Sequence, residues 1–458
     1  MRNLIITIIL ILITNSVIAQ TDEIIIQNIY HEQLNNSPIY ENLRYLTKEI
    51  GHRISGSPEL TASLEFAQQL MIKYGFDTVY VQPVMVANWI RGKKEIVRIT
   101  NSPSLDDRNL NCLALGNSIG TGDQGLVGNV IEINGFEELK KTDKKLVNGK
   151  IVFLNQPFDI SIINTWDAYA KVSDQRNYGA LQASIKGAIA VIVRSLSSSN
   201  DDSPHTGYTE YDDSVKKIPA FAISTNDANL LSKLIKMEPN TIVYLESHCQ
   251  TNEEALSCNV IGEIKGTKYP DEIIAVGGHL DTWDIGEGAH DDAGGCLQAI
   301  EVLRSFRVLG IQPKRTLRSV IWVDEENSWN GNMVYAEKSK LNKETHIAAI
   351  EADYGAFSPI GFNIETENEI ALKRIMAWKG YFEPYQVYQF NKGHAGVDIT
   401  PLKNSSILLL GLMTDSHRYF TLHHSENDVF EAVNKRELEL GAAAMTAMVY
   451  LIDKNGLK

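Results

Sequence analysis

The sequence predicts an α/β fold: a mixed, mostly parallel sheet flanked by helices, carrying an inserted β-rich domain. Two observations predict it. Short, continuous apolar runs at 273–276, 319–323, 347–352 and 407–410 alternate with helical segments such as 295–309 and 435–452. Continuous rather than alternating apolar runs belong to strands covered on both faces, as in parallel sheets wrapped by helices. Between 120 and 245 the texture changes to short β-rich runs, which reads as a separate domain interrupting the first.

Taken in order, residues 1–19 have the layout of a secretory signal peptide. Arg2 precedes an apolar run from 4 to 13, and Val17-Ile18-Ala19 supplies small residues for cleavage. The run falls short of the ~20 residues a spanning helix needs. The expectation is therefore a secreted or periplasmic protein with no membrane segment after cleavage. Helical periodicity follows. Ser57-Pro58-Glu59 then marks a helix start, with Ser as N-cap and Pro in the first turn, and Gly75 a terminator. Strand-like runs come at 77–86 and 95–100. In the insert, strands are expected at 128–133, 150–154, 187–193 and 218–223, a helix at 178–186 and a surface loop at 195–207. The expected division is 1–19 signal peptide, 20–119 with 246–458 as the main domain, and 120–245 as the insert.

Composition excludes more than it selects. A formal charge of −14, without a basic run, argues against nucleic-acid binding. Four cysteines, Cys112, Cys249, Cys258 and Cys296, are too few for a disulfide framework in 458 residues and lack metal-knuckle spacing. Cys249 and Cys258 are the pair near enough in sequence to bridge.

The chemistry sits where the strands end. In open α/β sheets ligands lie beyond the carboxyl ends of the strands. After 273–278 come His279-Leu280-Asp281, then Glu287 to Gly295 with Asp291-Asp292. After 319–323 come Asp324-Glu325-Glu326. After 347–352 comes Asp353. Near the C-terminus stands His423-His424-Ser425-Glu426-Asn427-Asp428. A lone acid or histidine at a strand end is usually a capping or surface residue. Several carboxylates brought to one sheet edge repel one another and call for cations. Imidazole with carboxylate suits zinc.

These blocks resemble the co-catalytic zinc exopeptidases related to carboxypeptidase Q. The pattern G-H-L-D-x-W-D-x-G-x-G-A-x-D-D runs from Gly278 to Asp292, and the E-E, E-x-D and H-H-S-x-x-D blocks follow in family order. The resemblance implies two zinc ions per chain and hydrolysis of short peptides. It implies His279 and Asp353 on one zinc, Glu326 and His424 on the other, and Asp291 bridging, with a cis bond to Asp292. Glu325 would be the general base, and Asp281 would orient His279. It implies a protease-associated domain for the insert, contributing no metal ligand, and a homodimer. His394, in Gly393 to Asp398, would sit on the substrate side. His290 and His423 occupy non-ligand positions. Trp329, where the sequence departs from the usual Gly-rich continuation, would line the specificity pocket. Two alternatives stand beside this reading. One is a non-catalytic binding protein of the same fold, against which all five ligands and Glu325 are present. The other is a single-zinc glutaminyl cyclase, against which the insert speaks.

Overall fold

The computed structural model describes residues 21–100 and 102–457. The expected signal peptide, 1–19, lies outside the described residues. No described helix is long and apolar enough to cross a membrane.

The main sheet has eight strands. Their order is Thr78–Val86, Ala255–Ile264, Arg315–Trp322, Tyr269–His279, Thr345–Glu351, Leu408–Thr414, Pro359–Glu365 and Gln389–Lys392. The four strands from Arg315–Trp322 to Leu408–Thr414 run parallel. Antiparallel strands flank them on both sides, so the sheet is mixed around a parallel centre. The central strands are buried almost throughout, which is why they read as unbroken apolar runs. Helices Gly294–Val308 and Lys435–Asn455 pack on one face. Small residues at Ala442, Ala443 and Ala444 allow the second helix a close approach, and all three are fully buried. The helix expected after Ser57 spans Pro58–Lys73, and the Ser57 hydroxyl accepts the Leu60 N–H at 3.0 Å.

A second eight-stranded sheet lies in the order Arg108–Leu110, Ile96–Thr100, Ile242–Glu246, Leu126–Ile133, Ile151–Leu154, Ala190–Arg194, Ala220–Ile223 and Cys112–Ala114. It therefore takes in strands at 96–114, upstream of the boundary read at 120. Strand Ile96–Thr100 pairs antiparallel with Ile242–Glu246, so the chain enters and leaves this sheet side by side. Its apolar residues form cores of their own. Phe158, Ala168, Val172 and Leu196 then pack on Phe357, Tyr419 and Phe420 of the main sheet's loops. A buried ion pair adds to this seam: Arg91 reaches Asp284 at 2.6 Å and Glu95 at 2.9 Å. All four cysteines are free thiols, so the Cys249–Cys258 bridge that the sequence allowed is not formed. Cys258 is instead held in the Ala255–Ile264 strand, paired with Pro83.

Candidate metal centre

The parallel strands deliver the chemistry to one edge. His279 is the last residue of Tyr269–His279, Glu325 and Glu326 follow Arg315–Trp322, and Asp353 follows Thr345–Glu351. Asp291 comes from the irregular segment Ala289–Ala293, just before helix Gly294–Val308, and the Asp291–Asp292 bond is cis as the resemblance implied. His424 arrives on the loop before the last helix with φ +61°.

The two oxygens of Asp291 face different partners. Oδ1 lies 3.3 Å from His279 Nε2, and Oδ2 lies 3.3 Å from His424 Nε2. On the first side Asp353 Oδ1 is 3.6 Å from His279 Nε2. On the second Glu326 Oε2 is 3.1 Å from His424 Nε2. The five residues named from the sequence thus converge as two histidine–carboxylate pairs about one shared carboxylate. His423 joins the second group. It stacks on His424 at 3.6 Å between ring centres, and its Nε2 is 3.7 Å from Asp291 Oδ2. With Asp291 and His424 it forms a compact set of potential ligand atoms, beside His279, Asp291 and Asp353.

His279 Nε2, Asp291 Oδ2 and Asp353 Oδ1 are buried with no hydrogen-bond partner. Buried polar atoms are rarely left unpaired, and several aimed at one another mark a place built for a cation. The donor set, imidazole plus carboxylate, fits zinc.

Electrostatics agree with crowded acids around two imidazoles. Burial pushes the Asp291 carboxyl up, but His279 and His424 outweigh it and hold the group well below the carboxylate range. Glu325 goes the other way. Burial, reinforced by Glu326, Asp353 and Asp398, lifts it well above its ordinary value despite His279. Its Oε2 is 4.0 Å from His279 Nε2.

Other named residues fall into supporting positions. The carboxylate of Asp281 is 3.8 Å from His279 Nδ1, and the backbone carbonyl of Asp281 is nearer, at 3.0 Å. The carboxylate instead accepts the backbone N–H groups of Glu325 at 3.2 Å and Glu326 at 3.1 Å. The hydrogen-bond-length contact to His279 is thus made by the Asp281 carbonyl, with the carboxylate further off and bound to the chain after the neighbouring strand. His394 stands outside the cluster. It is exposed, 3.4 Å from Glu365, in the wall of a cavity of about 590 Å³ that Trp166, Tyr354, Asn363 and Met413 also line. Tyr354 directly follows Asp353 in the chain, while none of the five convergent residues lines this cavity. Trp329 is not in that wall; its ring rests 5.4 Å from Tyr208 of the second unit. His290 turns away and stacks on Phe357. Gly278 admits no side chain, because a Cβ there would lie 2.2 Å from Asp292 Oδ2.

Two residues have structural roles that the sequence reading did not assign. Arg53, fully buried, donates to the carbonyls of Leu280, Gly51, Glu287 and Gly288 at 2.7–3.0 Å, tying the His279 turn to the Asp291 segment. Asp428 accepts the N–H groups of His290 and Asp291 at 2.8 and 3.1 Å. A lone arginine near an N-terminal helix carries no sequence signal for this role. Asp428 did, as the last member of the H-H-S-x-x-D block.

Comparison with known proteins places this geometry. Residues 259–449 match the model of peptidase family M28. Carboxypeptidase Q from Homo sapiens is 33% identical over 424 residues, covering 93% of this chain and 86% of that protein. The Bos taurus carboxypeptidase Q is 32% identical over 426 residues with the same coverage. The chain belongs to peptidase family M28. A solved peptidase M28 precursor from Shewanella amazonensis superposes on this M28 chain with a TM-score of 0.90 at 29% identity, over 95% of this chain and 98% of that one. A zinc aminopeptidase from Bacillus subtilis shares the fold, with a TM-score of 0.66 at 20% identity over 90% and 94% of the two chains.

Proposed function

We propose that this M28 peptidase is an exported exopeptidase that binds two zinc ions and hydrolyses short peptides. One observation carries the reading: the two oxygens of Asp291 point separately at His279 and His424, each already paired with a second carboxylate, Asp353 or Glu326. A single carboxylate shared by two such pairs suits two ions. Zinc bound there supplies Lewis acidity toward a peptide carbonyl and toward water.

The chain's own groups do the rest. Glu325 takes a proton from the attacking water and passes it to the leaving amine. Asp281 fixes the Glu325 backbone from below. Asp428 and Arg53 hold the segment that presents Asp291. In this reading the cavity lined by Tyr354, His394 and Trp166 receives the peptide.

The second sheet serves as a protease-associated domain of about 96–246, which walls the cavity with its 163–170 segment. Export is supported by the leader-like pattern of 1–19. Small peptides with free ends as substrates and a homodimer as the assembly are part of the proposal and rest on the family resemblance of the sequence motifs alone.

The test is hydrolysis of matched dipeptides and tripeptides that are free, N-acetylated or C-amidated, each with and without chelator. Chelator-sensitive cleavage, lost when one end is blocked, is the expected result and identifies the terminus that is held. Equal cleavage of free, N-acetylated and C-amidated peptides would overturn the exopeptidase reading.

A further inference from the structure

The second unit reaches His424 directly. Arg176, at 5% exposure, is buried between the units. Its Nε donates to Asn177 Oδ1 at 3.1 Å, its Nη2 to the Tyr169 hydroxyl at 2.6 Å, and its Nη1 to the Thr206 carbonyl at 3.4 Å. The same Nη1 lies 3.2 Å from His424 Nδ1, which is itself 3.3 Å from the Thr206 carbonyl. Thr206 is clasped from the other side, since its N–H donates to the His424 carbonyl at 2.9 Å.

The proton logic separates two states of this ring. A guanidinium only donates and a carbonyl only accepts. If Nδ1 accepts from Arg176, the imidazole proton sits on Nε2, and Nε2 has no lone pair to offer an ion between Glu326 and Asp291. If Nδ1–H donates to Thr206, the Nε2 lone pair is free. Arg176 and Nδ1–H then share one carbonyl as acceptor. The packing leaves that carbonyl little freedom. A Cβ on Gly207 would come within 2.5 Å of Arg176 Nη1 and 2.6 Å of His424 Nδ1, at a φ of +132°.

We propose that Arg176 is a positioning residue of the metal centre, supplied by the second unit, which fixes the Thr206 carbonyl and through it the tautomer and orientation of His424. The inference rests on the reading of His424 as a zinc ligand. It assigns the second unit a part in metal binding without making it a ligand donor, and it makes one ion more dependent on the seam between the units than the other.

The test is zinc affinity of metal-stripped protein, measured by chelator competition for wild type, Arg176→Met and Arg176→Lys. Met keeps the apolar stem without donors, and Lys keeps the charge without the planar fork. Loss of a group that orients a ligand typically costs about 10- to 100-fold in metal affinity. One of the two ions should weaken by that factor in both variants, and the other should change by less than about threefold on the same reasoning. A general loss of structure would weaken both ions together, and that result, or unchanged affinity for both, overturns the proposal. Should the Arg176 variants fail to fold, Tyr169→Phe removes only the acceptor that anchors Nη2. Folded Tyr169→Phe should show a smaller loss confined to the same ion, and unchanged affinity in it overturns the proposal equally. Wild-type protein that takes up fewer than two ions rejects the two-metal reading itself.

Discussion

Asp281→Asn isolates the contact between the segment just after the His279 strand and the backbone of Glu325 and Glu326, the proposed base and zinc ligand. The native carboxylate is fully buried and accepts two backbone N–H groups, from Glu325 at 3.2 Å on Oδ1 and from Glu326 at 3.1 Å on Oδ2, with the Ser55 hydroxyl at 3.3 Å. An asparagine keeps one acceptor and turns an NH₂ toward the other N–H. A hydrogen bond to a charged acceptor is worth about 1.5–3 kcal/mol, and a buried donor left unpaired costs about 1–3 kcal/mol. Their sum, about 2.5–6 kcal/mol, is what the substitution costs at these two contacts. Part of it is returned, because burial together with the Asp281 charge lifts Asp324 to about 7, and removing that charge relieves Asp324. The loss should therefore appear more in function than in global stability. Denaturant unfolding is expected to move by about 1–3 kcal/mol, and turnover of a dipeptide to fall about 10- to 100-fold. Ser55→Ala, which removes only a neutral bond, should cost about 1 kcal/mol or less. Asp281→Asn with wild-type turnover, or with a loss no larger than Ser55→Ala, would refute the reasoning.

Glu325→Gln should reduce turnover by about 10²–10⁴-fold, the usual contribution of a general base, while leaving zinc content unchanged by elemental analysis. Asp291→Asn should lower the affinity of both ions, since each faces one of its oxygens; loss of one ion alone would break the bridging assignment. Burial pushes His205 from 6.5 down to about 4, where it donates to the His423 carbonyl at 2.7 Å. Its folded pKa lies below the unfolded one, so stability is present above pH 6.5 and is lost as pH falls toward 4, by up to about 3 kcal/mol. His290 and His346 shift the same way, so His205→Asn should remove only part of the acid slope in thermal unfolding scans; an unchanged slope would rule His205 out.

What the sequence made legible follows from burial. The central strands are covered on both faces, so their apolar runs were continuous and their ends marked the site. Pro359–Glu365 and the four-residue edge strand Gln389–Lys392 are interrupted by partly exposed or polar positions, and no run announced them. The strand at 95–100 was legible, but its membership of the second sheet was not, because the three-residue strands Arg108–Leu110 and Cys112–Ala114 that follow it resemble connecting loop. The side chains that converge about Asp291 were legible because each lies in a compact local motif. Arg53 and Arg176 were not: the first acts on carbonyls 227–235 positions away and the second on a ring 248 positions away, so only the folded chain brings them into view.

The central claim is two zinc ions sharing Asp291. Anomalous diffraction at the zinc edge from zinc-loaded crystals tests it directly. The account predicts two peaks about 3.5–4 Å apart, one beside His279 and Asp353, the other beside Glu326 and His424. A single peak, or two that do not share Asp291, would contradict it.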